Sequence, residues 1–391
     1  MGPNGRFPLL GTAALQVAVD CVTQKGGMSR SVLDFRSALG GAVLSFTDPS
    51  LIPAKAPDGV CHLPVAQGPL ARRYYAPSQE DLRAVRAQLS NLKLIVVHGL
   101  YRSHATWAAR TAREMGIPYW MVPHRALDPY VFTYRQLRKR LWMSAVGRPI
   151  LKQASRVIVA TERERLKAQQ YLDGCRVETL YWPVEVEPHD PQRHARDALR
   201  KRLGISEDDR ALLFLGRLDP MKRVRETIAA IAAADVSRVH LIVVGPGSEE
   251  MSVEACRSYA DEIGAKRVHV VGPDFSENKN DWFAASDAYV SLSHRENFGY
   301  SAAEALSIGL PVILSPGNDL SPSLAQVQPG WLLKSLEEHE AVTAIRDFSV
   351  CADEKLRAMG EAGRRWATDN LSEARFTTTL RELSEGSSGI G

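Results

Sequence analysis

Short apolar runs rich in β-branched residues recur along the chain. Each is followed by a polar turn and then by a stretch with apolar positions at helical spacing. Read as strands, the runs in the first half are Gln16–Val22, Ala42–Thr47, Leu92–His98, Pro118–Val122, Arg156–Ala160 and Val177–Trp182. In the second half they are Ala211–Leu215, Val239–Val244, Val268–Val271, Ala288–Leu292 and Pro311–Leu314. Most are continuous rather than alternating, which predicts strands covered on both faces and therefore parallel sheets. Thr106–Met115, Val224–Ala234 and Ala302–Ile308 read as helices between them. Strands alternating with helices predict an α/β architecture.

At 391 residues the chain has room for two such sheets, since domains run to roughly 100–200 residues. The polar, proline-containing stretch Pro183–Asp209 separates a first domain, 1–185, from a second, 200–369. Glu337–Leu383 reads as helices, with the terminal one, 370–391, expected to return to the first domain. The tail EGSSGIG reads as loose chain. The expected fold is two doubly wound, Rossmann-like domains facing each other across a cleft, with ligands at the carboxyl ends of the strands.

Composition narrows the function classes. Hydrophobic residues make up 45% and charged residues 24%, which fits an ordinary globular protein. A formal net charge of +4 makes no case for nucleic acid. The five cysteines, Cys21, Cys61, Cys175, Cys256 and Cys351, have no C-x-x-C spacing, so neither a disulfide framework nor a zinc site is expected. A reducing cytoplasm suits them. The N-terminus does not read as a signal peptide, and the apolar runs stop well short of the ~20 residues that span a bilayer.

Candidate chemistry concentrates in Ser291–Pro311, SLSHRENFGYSAAEALSIGLP. A strand ends there, a turn containing Asn297 and Gly299 follows, and a helix runs from near Ser301 to Gly309. The turn brings Glu296 and Glu304 to the same end of the sheet. A loop entering a helix offers unpaired N–H groups to a phosphate, and carboxylates accept hydrogen bonds from vicinal sugar hydroxyls. On spacing alone, a solvated turn residue and a solvated helix residue fit equally well. A second candidate is Leu213–Arg223, LFLGRLDPMKR. Gly216 at the strand end allows close backbone approach. Arg217 as a fork and Lys222 as a point charge can converge on one diphosphate, although surface cations after a strand are common.

The string SHRENFGYSAAEALSIGLPV resembles the signature of the retaining GT-B glycosyltransferases of family 4, a group that builds bacterial polysaccharides and glycolipids. The family's E-x7-E pattern falls on Glu296 and Glu304, with Asn297, Phe298 and Gly299 in their usual places. The resemblance implies Glu296 beside the donor sugar, Glu304 on the ribose, and Arg217 and Lys222 on the pyrophosphate. Arg223-Val224 departs from the Lys-Gly of many members. The resemblance also implies that Gly26 and Gly27, in QKGGMSR, lie under the donor phosphates, with Lys25 and Arg30 as adjacent cations. VVGPG (Val243–Gly247) and VGPDF (Val271–Phe275) fit turns of the donor domain, the second one near the base. MVPHRALDPY keeps Pro123, His124, Leu127, Asp128 and Pro129 of the family's P-H-G-x-L-D-P, which implies that His124 lies near the reacting sugar, either donating a hydrogen bond to it or helping to organise the acceptor. Arg125 replaces the glycine, and arginine does not readily take positive φ. His98, in VVHGL, matches an H-G pattern. Glu162, in ATERE, belongs to a Ser/Thr-x-x-E turn of structural role. The likeness extends over nearly the whole chain, strongest from Leu213 to Pro316.

The implied activity is a retaining, metal-independent hexosyl transfer. The donor is a nucleoside-diphosphate sugar, the acceptor a saccharide or lipid-linked saccharide of (exo)polysaccharide biosynthesis, and no separate cofactor is used. In the family's front-side displacement the donor phosphate itself deprotonates the acceptor. The chain has no D-x-D string, and Glu296 and Glu304 suit hydroxyl binding better than the flanking acid–base work of a glycosidase. Two other readings stay open: a GT-B-fold UDP-sugar epimerase, and a non-catalytic subunit of a glycosyltransferase complex. Finally, no Asp or Glu occurs between Asp128 and Glu162, whereas Arg135, Arg138, Lys139, Arg140, Arg148, Lys152 and Arg156 do, interleaved with Phe132, Tyr134, Leu141 and Trp142. Such a segment reads either as a solvated helix packed by its aromatics or as a surface, 132–156, for an anionic membrane at the cytoplasmic face.

Overall fold

The structure is a computed structural model that describes residues 12–21, 26–133, 136–185, 193–274 and 279–386. The chain divides into two compact units. One takes it up to Pro183 and picks it up again from Ala374; the other runs from Val184 to Glu373.

The first unit holds a seven-stranded parallel sheet: β1 (Ala14–Val19), β2 (Ala42–Thr47), β3 (Val60–Pro64), β4 (Leu94–His98), β5 (Tyr119–Val122), β6 (Arg156–Val159) and β7 (Val177–Thr179). Their order is β3-β2-β1-β4-β5-β6-β7. The second unit holds a six-stranded parallel sheet: β8 (Arg210–Leu215), β9 (Val239–Val244), β10 (Val268–Gly272), β11 (Ala288–Ser291), β12 (Val312–Leu314) and β13 (Gly330–Leu332). Their order is β10-β9-β8-β11-β12-β13. Both sheets are Rossmann-like, with helices between successive strands. β2 and β9 are buried along their full length, as continuous apolar runs require.

Three sequence expectations need correction. β1 begins at Ala14 and ends at Val19, because Asp20 takes φ +46° and breaks the extended backbone; Val22 lies outside the described residues. β7 stops at Thr179, and Trp182 leaves the sheet to pack edge-on against Phe35 and Phe376. β3 and β13 were not expected at all. Both are edge strands, and an edge strand needs no continuous apolar run: β3 carries His62 and Pro64, and β13 has three residues.

In each sheet the chain reverses its winding beside the first strand. β1 lies between β2 and β4, and β8 lies between β9 and β11. The carboxyl ends at such switch points form the crevice where doubly wound sheets take ligands. Gly26 follows β1, His98 is the last residue of β4, and His124 follows β5; Arg217 and Glu296 follow β8 and β11. The cores beneath are ordinary. Leu15, Leu44, Val97, Ala108 and Met121 pack in the first unit, and Phe214, Ile228, Val290, Ile313 and Phe348 in the second. The terminal helix Glu373–Glu385 is tied into the first unit: Phe376 meets Phe35 edge-on at 5.2 Å, and Arg381 Nε donates to the Ala38 carbonyl. Among the described residues no helix is long and apolar enough to cross a membrane.

Candidate active site

In the second unit, two loops carry the sequence-predicted residues. The loop after β8 begins at Gly216. A side chain there would meet nothing, whereas a Cβ on Gly245 would lie 1.9 Å from the Gly216 carbonyl oxygen. The close backbone approach therefore requires glycine at the end of β9, whereas Gly216 is favoured by its φ of +158° and not by lack of space. Asp219 caps the single turn Pro220–Lys222 by accepting from the Met221 N–H at 2.9 Å. Arg223 closes it in the left-handed conformation at φ +56°, held by a bond from its guanidinium to the Leu336 carbonyl at 2.9 Å. That tether explains how the Arg223-Val224 departure is accommodated. Lys222 is thus presented on a rigid turn, and its Nζ donates to the Glu296 carboxylate. Arg217 is largely exposed, at 65% for its side chain, and pairs with Asp219 at 3.1 Å.

The loop after β11 is stitched to the first by a bond from the His294 N–H to the Met221 carbonyl at 2.8 Å. Glu296 is fixed on both sides of its backbone: its N–H donates to the Gly317 carbonyl, and its carbonyl accepts from Asp319, each at 2.9 Å. Gly317 must be glycine, since a Cβ would fall 2.1 Å from the Ser293 oxygen. Gly299 turns the chain at φ +74° into the helix Tyr300–Ser307, whose N-terminus has no side-chain cap and no acid in its first turn. Those N–H groups and the helix dipole suit an anion. Phe298 is buried and packs edge-on against Tyr300 at 5.0 Å. Glu304, on this helix, is buried to 8% exposure and accepts from Lys279 Nζ at 2.5 Å. The structure therefore brings Lys222 to Glu296 and adds Lys279, unread in the sequence, to Glu304. Each carboxylate is half of an ion pair.

In the first unit, Gly26 is extended and precedes the helix Gly27–Leu39, which has no side-chain cap and no acid in its first turn. Arg30 lies on that first turn, while Lys25 and Phe275 fall outside the described residues. His124 follows β5 with φ +48°, and Arg125 takes φ +68°. The doubt over Arg125 is resolved in favour of the left-handed backbone. Glu164 holds it there: its carboxylate accepts from the Arg125 N–H at 2.9 Å and the Ala160 N–H at 2.8 Å. The turn ATERE is a cap in which Thr161 Oγ1 accepts from the Glu164 N–H, so the acid that matters is Glu164. Glu162 pairs instead with Arg165 and Thr179. The Thr-x-x-Glu spacing of a capping box was the signal for it.

His98 links three distant side chains. It is buried to 1% exposure. Its Nε2 meets Gln16 Oε1 at 3.1 Å, its Nδ1 meets His124 Nε2 at 3.0 Å, and its carbonyl accepts from His104 Nε2 at 2.8 Å. The His98 and His124 rings stack at 5.2 Å, with Phe35 edge-on to His98 and Trp182 tilted over His124. The Gln16 oxygen carries no proton, so with the amide in this orientation Nε2 of His98 does. Nδ1 of His98 then accepts from His124, which leaves the other ring nitrogen of His124 with a lone pair. In this tautomer His124 offers an acceptor through that nitrogen. Loss of hydration lowers His124 and His104 to about 4 and His98 well below its usual range, with repulsion between the rings adding to His98. All three are neutral near pH 7.

Residues 195–366 match the family described as glycosyl transferases group 1, and residues 14–185 match the glycosyl transferase 4-like domain. The chain belongs to the group 1 glycosyltransferases. Among relatives of this glycosyltransferase, D-inositol 3-phosphate glycosyltransferases of Mycobacterium tuberculosis and Mycobacterium bovis are 29% identical over 249 residues, which is 60% of this chain and 50% of theirs. The chain thus spans about half the length of the curated relatives it matches. Solved structures share its fold. Anabaena HepE, in complex with UDP and glucose, aligns with a TM-score of 0.75 at 19% identity over 95% of this chain and 99% of that one. Sucrose-phosphate synthase from Thermosynechococcus elongatus aligns with a TM-score of 0.73 at 20% identity over 96% and 98%.

Proposed function

We propose that this glycosyltransferase moves a hexosyl group from a nucleoside-diphosphate sugar to a saccharide or lipid-linked saccharide hydroxyl, with retention, without a metal, and in polysaccharide synthesis. The observation that carries this reading is the Lys222–Glu296 pair at the carboxyl ends of β8 and β11, beside an uncapped helix N-terminus. An arriving diphosphate exchanges for Glu296 at Lys222. It gains Arg217 and the helix N–H groups, and it frees Glu296 to accept hydrogen bonds from sugar hydroxyls. Glu304, steadied by Lys279, takes the ribose hydroxyls. His124 accepts a hydrogen bond from a sugar hydroxyl through its remaining lone pair. In the transfer the bond from the anomeric carbon to the phosphate oxygen breaks, and its electron pair goes to that phosphate. The acceptor oxygen bonds to the same face of the carbon, and its proton passes to the leaving phosphate oxygen. Fixed cations stabilise the charge that develops there. The likeness to a structure solved with UDP and glucose makes UDP-glucose the first donor to try. The five free thiols suit a reducing compartment.

Isothermal calorimetry with UDP tests the site. Lys222→Ala and Glu304→Ala should each weaken UDP binding, by about tenfold or more for loss of a charged hydrogen bond. Unchanged affinity in both would sink the assignment. Release of epimerised sugar nucleotide without any acceptor would replace transfer by epimerisation.

A further inference from the structure

Four of the large exposed apolar side chains lie on two short helices of the first unit. Leu70 and Tyr74, 72% and 38% exposed, stand one turn apart on Pro69–Tyr74; Leu137 and Leu141, 78% and 71% exposed, stand one turn apart on Gln136–Trp142. The two helices touch: Arg138 donates to the Tyr74 hydroxyl and lies against its ring, with Arg73 on the same ring. Side chains at i and i+4 share a helix face, and Arg138 neighbours both leucines on its own helix. The apolar pairs are therefore adjoining parts of one surface. The charges carried by the two helices themselves have one sign, and Asp48 is the acid that acts on Arg72 from outside them. Residues 59–79 contain no Asp or Glu, nor do residues 129–161, while Arg72, Arg73, Arg138 and Arg140 are exposed on these helices and Lys139 folds back onto the Val131 carbonyl.

Beside the second helix lies a groove of about 430 Å³. Phe132 and Tyr171, stacked at 4.7 Å, and Met143 form its apolar side; Arg140 and Arg148 stand on its rim. Burial raises the Tyr171 hydroxyl while Arg140 and Arg148 pull it back down, so both guanidiniums act on the same ring. An apolar slot with two cations at its mouth fits an acyl-bearing phosphate, and exposed leucines beside arginines fit a bilayer interface.

We infer that Pro69–Tyr74 and Gln136–Trp142 together form a bilayer-docking surface for anionic phospholipids, with Leu70, Tyr74, Leu137 and Leu141 entering the interface and Arg140 and Arg148 taking a headgroup phosphate. The sequence segment 132–156 thus supplies one half of the surface, and a helix some sixty residues earlier supplies the other. Glycosyl transfer is not needed for this inference, so its test uses no sugar nucleotide.

The full chain is sedimented with vesicles of phosphatidylcholine alone and of phosphatidylcholine with phosphatidylglycerol at three parts to one. Binding to the anionic vesicles, weakened by salt, is expected, with little to the neutral ones. Leu137→Glu with Leu141→Glu should lower partitioning by about tenfold or more. Leu70→Ser alone should lower it less. Arg140→Gln and Arg148→Gln should each lower it about fivefold. All these side chains are solvent-facing, and an unchanged circular dichroism melt confirms the fold of each variant. Equal binding to both vesicle types, no binding to either, or full binding after Leu137→Glu with Leu141→Glu overturns the inference. If Leu70→Ser leaves binding unchanged while the other pair abolishes it, the two-helix surface is wrong.

Discussion

The two units present opposite chemistry at the ends of their central strands. The second unit offers charges in balanced pairs, Lys222 with Glu296 and Lys279 with Glu304. The first offers three neutral imidazoles in a dehydrated chain, ordered from Gln16 through His98 to His124. The ion pairs can exchange partners when a phosphate arrives. The imidazole chain cannot do so without a proton entering a site that disfavours it. In the proposed reading a nucleoside diphosphate goes to the second unit, and an uncharged, hydroxyl-rich group to the first. The contrast extends to the backbone. Glu296 is placed by a clasp that only glycine permits, whereas His124 and Arg125 are strained and held by one carboxylate.

The largest effect should come from that clasp. A methyl group on Gly317 meets the Ser293 and His294 carbonyl oxygens at 2.1 and 2.5 Å, and neither is a flexible side chain. Gly317→Ala should destabilise the second unit by about 3 kcal/mol, at the upper end for overpacking, and should remove UDP binding by displacing Glu296. Denaturant unfolding and calorimetry measure the two parts. A normal unfolding midpoint together with normal UDP affinity would mean that the loop carrying Glu296 is not held as described.

What could be read in advance follows the same divide. Glu296, Glu304, Arg217 and Lys222 lie in two continuous strings whose spacing reports a loop entering a helix, so the second unit's candidate residues could be named before their geometry. The first unit's site depends on pairings that no local string reports. Gln16 and His98 are 82 residues apart, and Glu164 is 39 residues from the Arg125 amide it holds. Lys279, 25 residues from Glu304, was hidden for the same reason. In the fold, β2 and β9 were legible to the residue because burial on both faces demands unbroken apolar runs. β3 and β13 were not, because β3 carries His62 and Pro64 and β13 has only three residues, so neither shows an unbroken apolar run.

A smaller effect is expected in the imidazole chain. His98→Asn removes the ring that fixes which nitrogen of His124 holds the proton, and it admits water. The turnover number should fall by up to about tenfold, the size of one lost hydrogen bond of about 0.5–1.5 kcal/mol, with the Michaelis constant for the donor little changed. The pKa of His124 should rise from about 4 toward its usual 6.5, because burial is what lowers it. The pH dependence of stability has a definite sign. The folded chain resists protonation of His98, His104 and His124, so their contribution is complete above pH 6.5 and is lost as pH falls from there toward 4. In His98→Asn the decline over this window should be shallower. Titration of the imidazole resonances by NMR and melts across pH 4 to 7 check both statements. An unshifted His124 with normal turnover would mean that His98 serves packing alone.

The smallest structural effect is the most informative about the first unit. Gly26 is extended at φ −173°, a conformation any residue adopts, and a Cβ there would meet nothing within 4 Å. Among the described residues nothing requires glycine there, in contrast to Gly317. Gly26→Ala should therefore leave the melting behaviour of the protein within the roughly 0.5 kcal/mol of a neutral surface change. If the loop nevertheless lies against the donor phosphates, the added methyl meets the ligand instead of the protein. Affinity for the sugar nucleotide then falls while stability does not. A thermal melt and a donor titration on the same sample separate these outcomes. Loss of donor affinity at constant stability assigns Gly26 to phosphate binding in the first unit. Unchanged affinity removes that residue from the site and leaves the diphosphate wholly to Arg217, Lys222 and the helix at Tyr300.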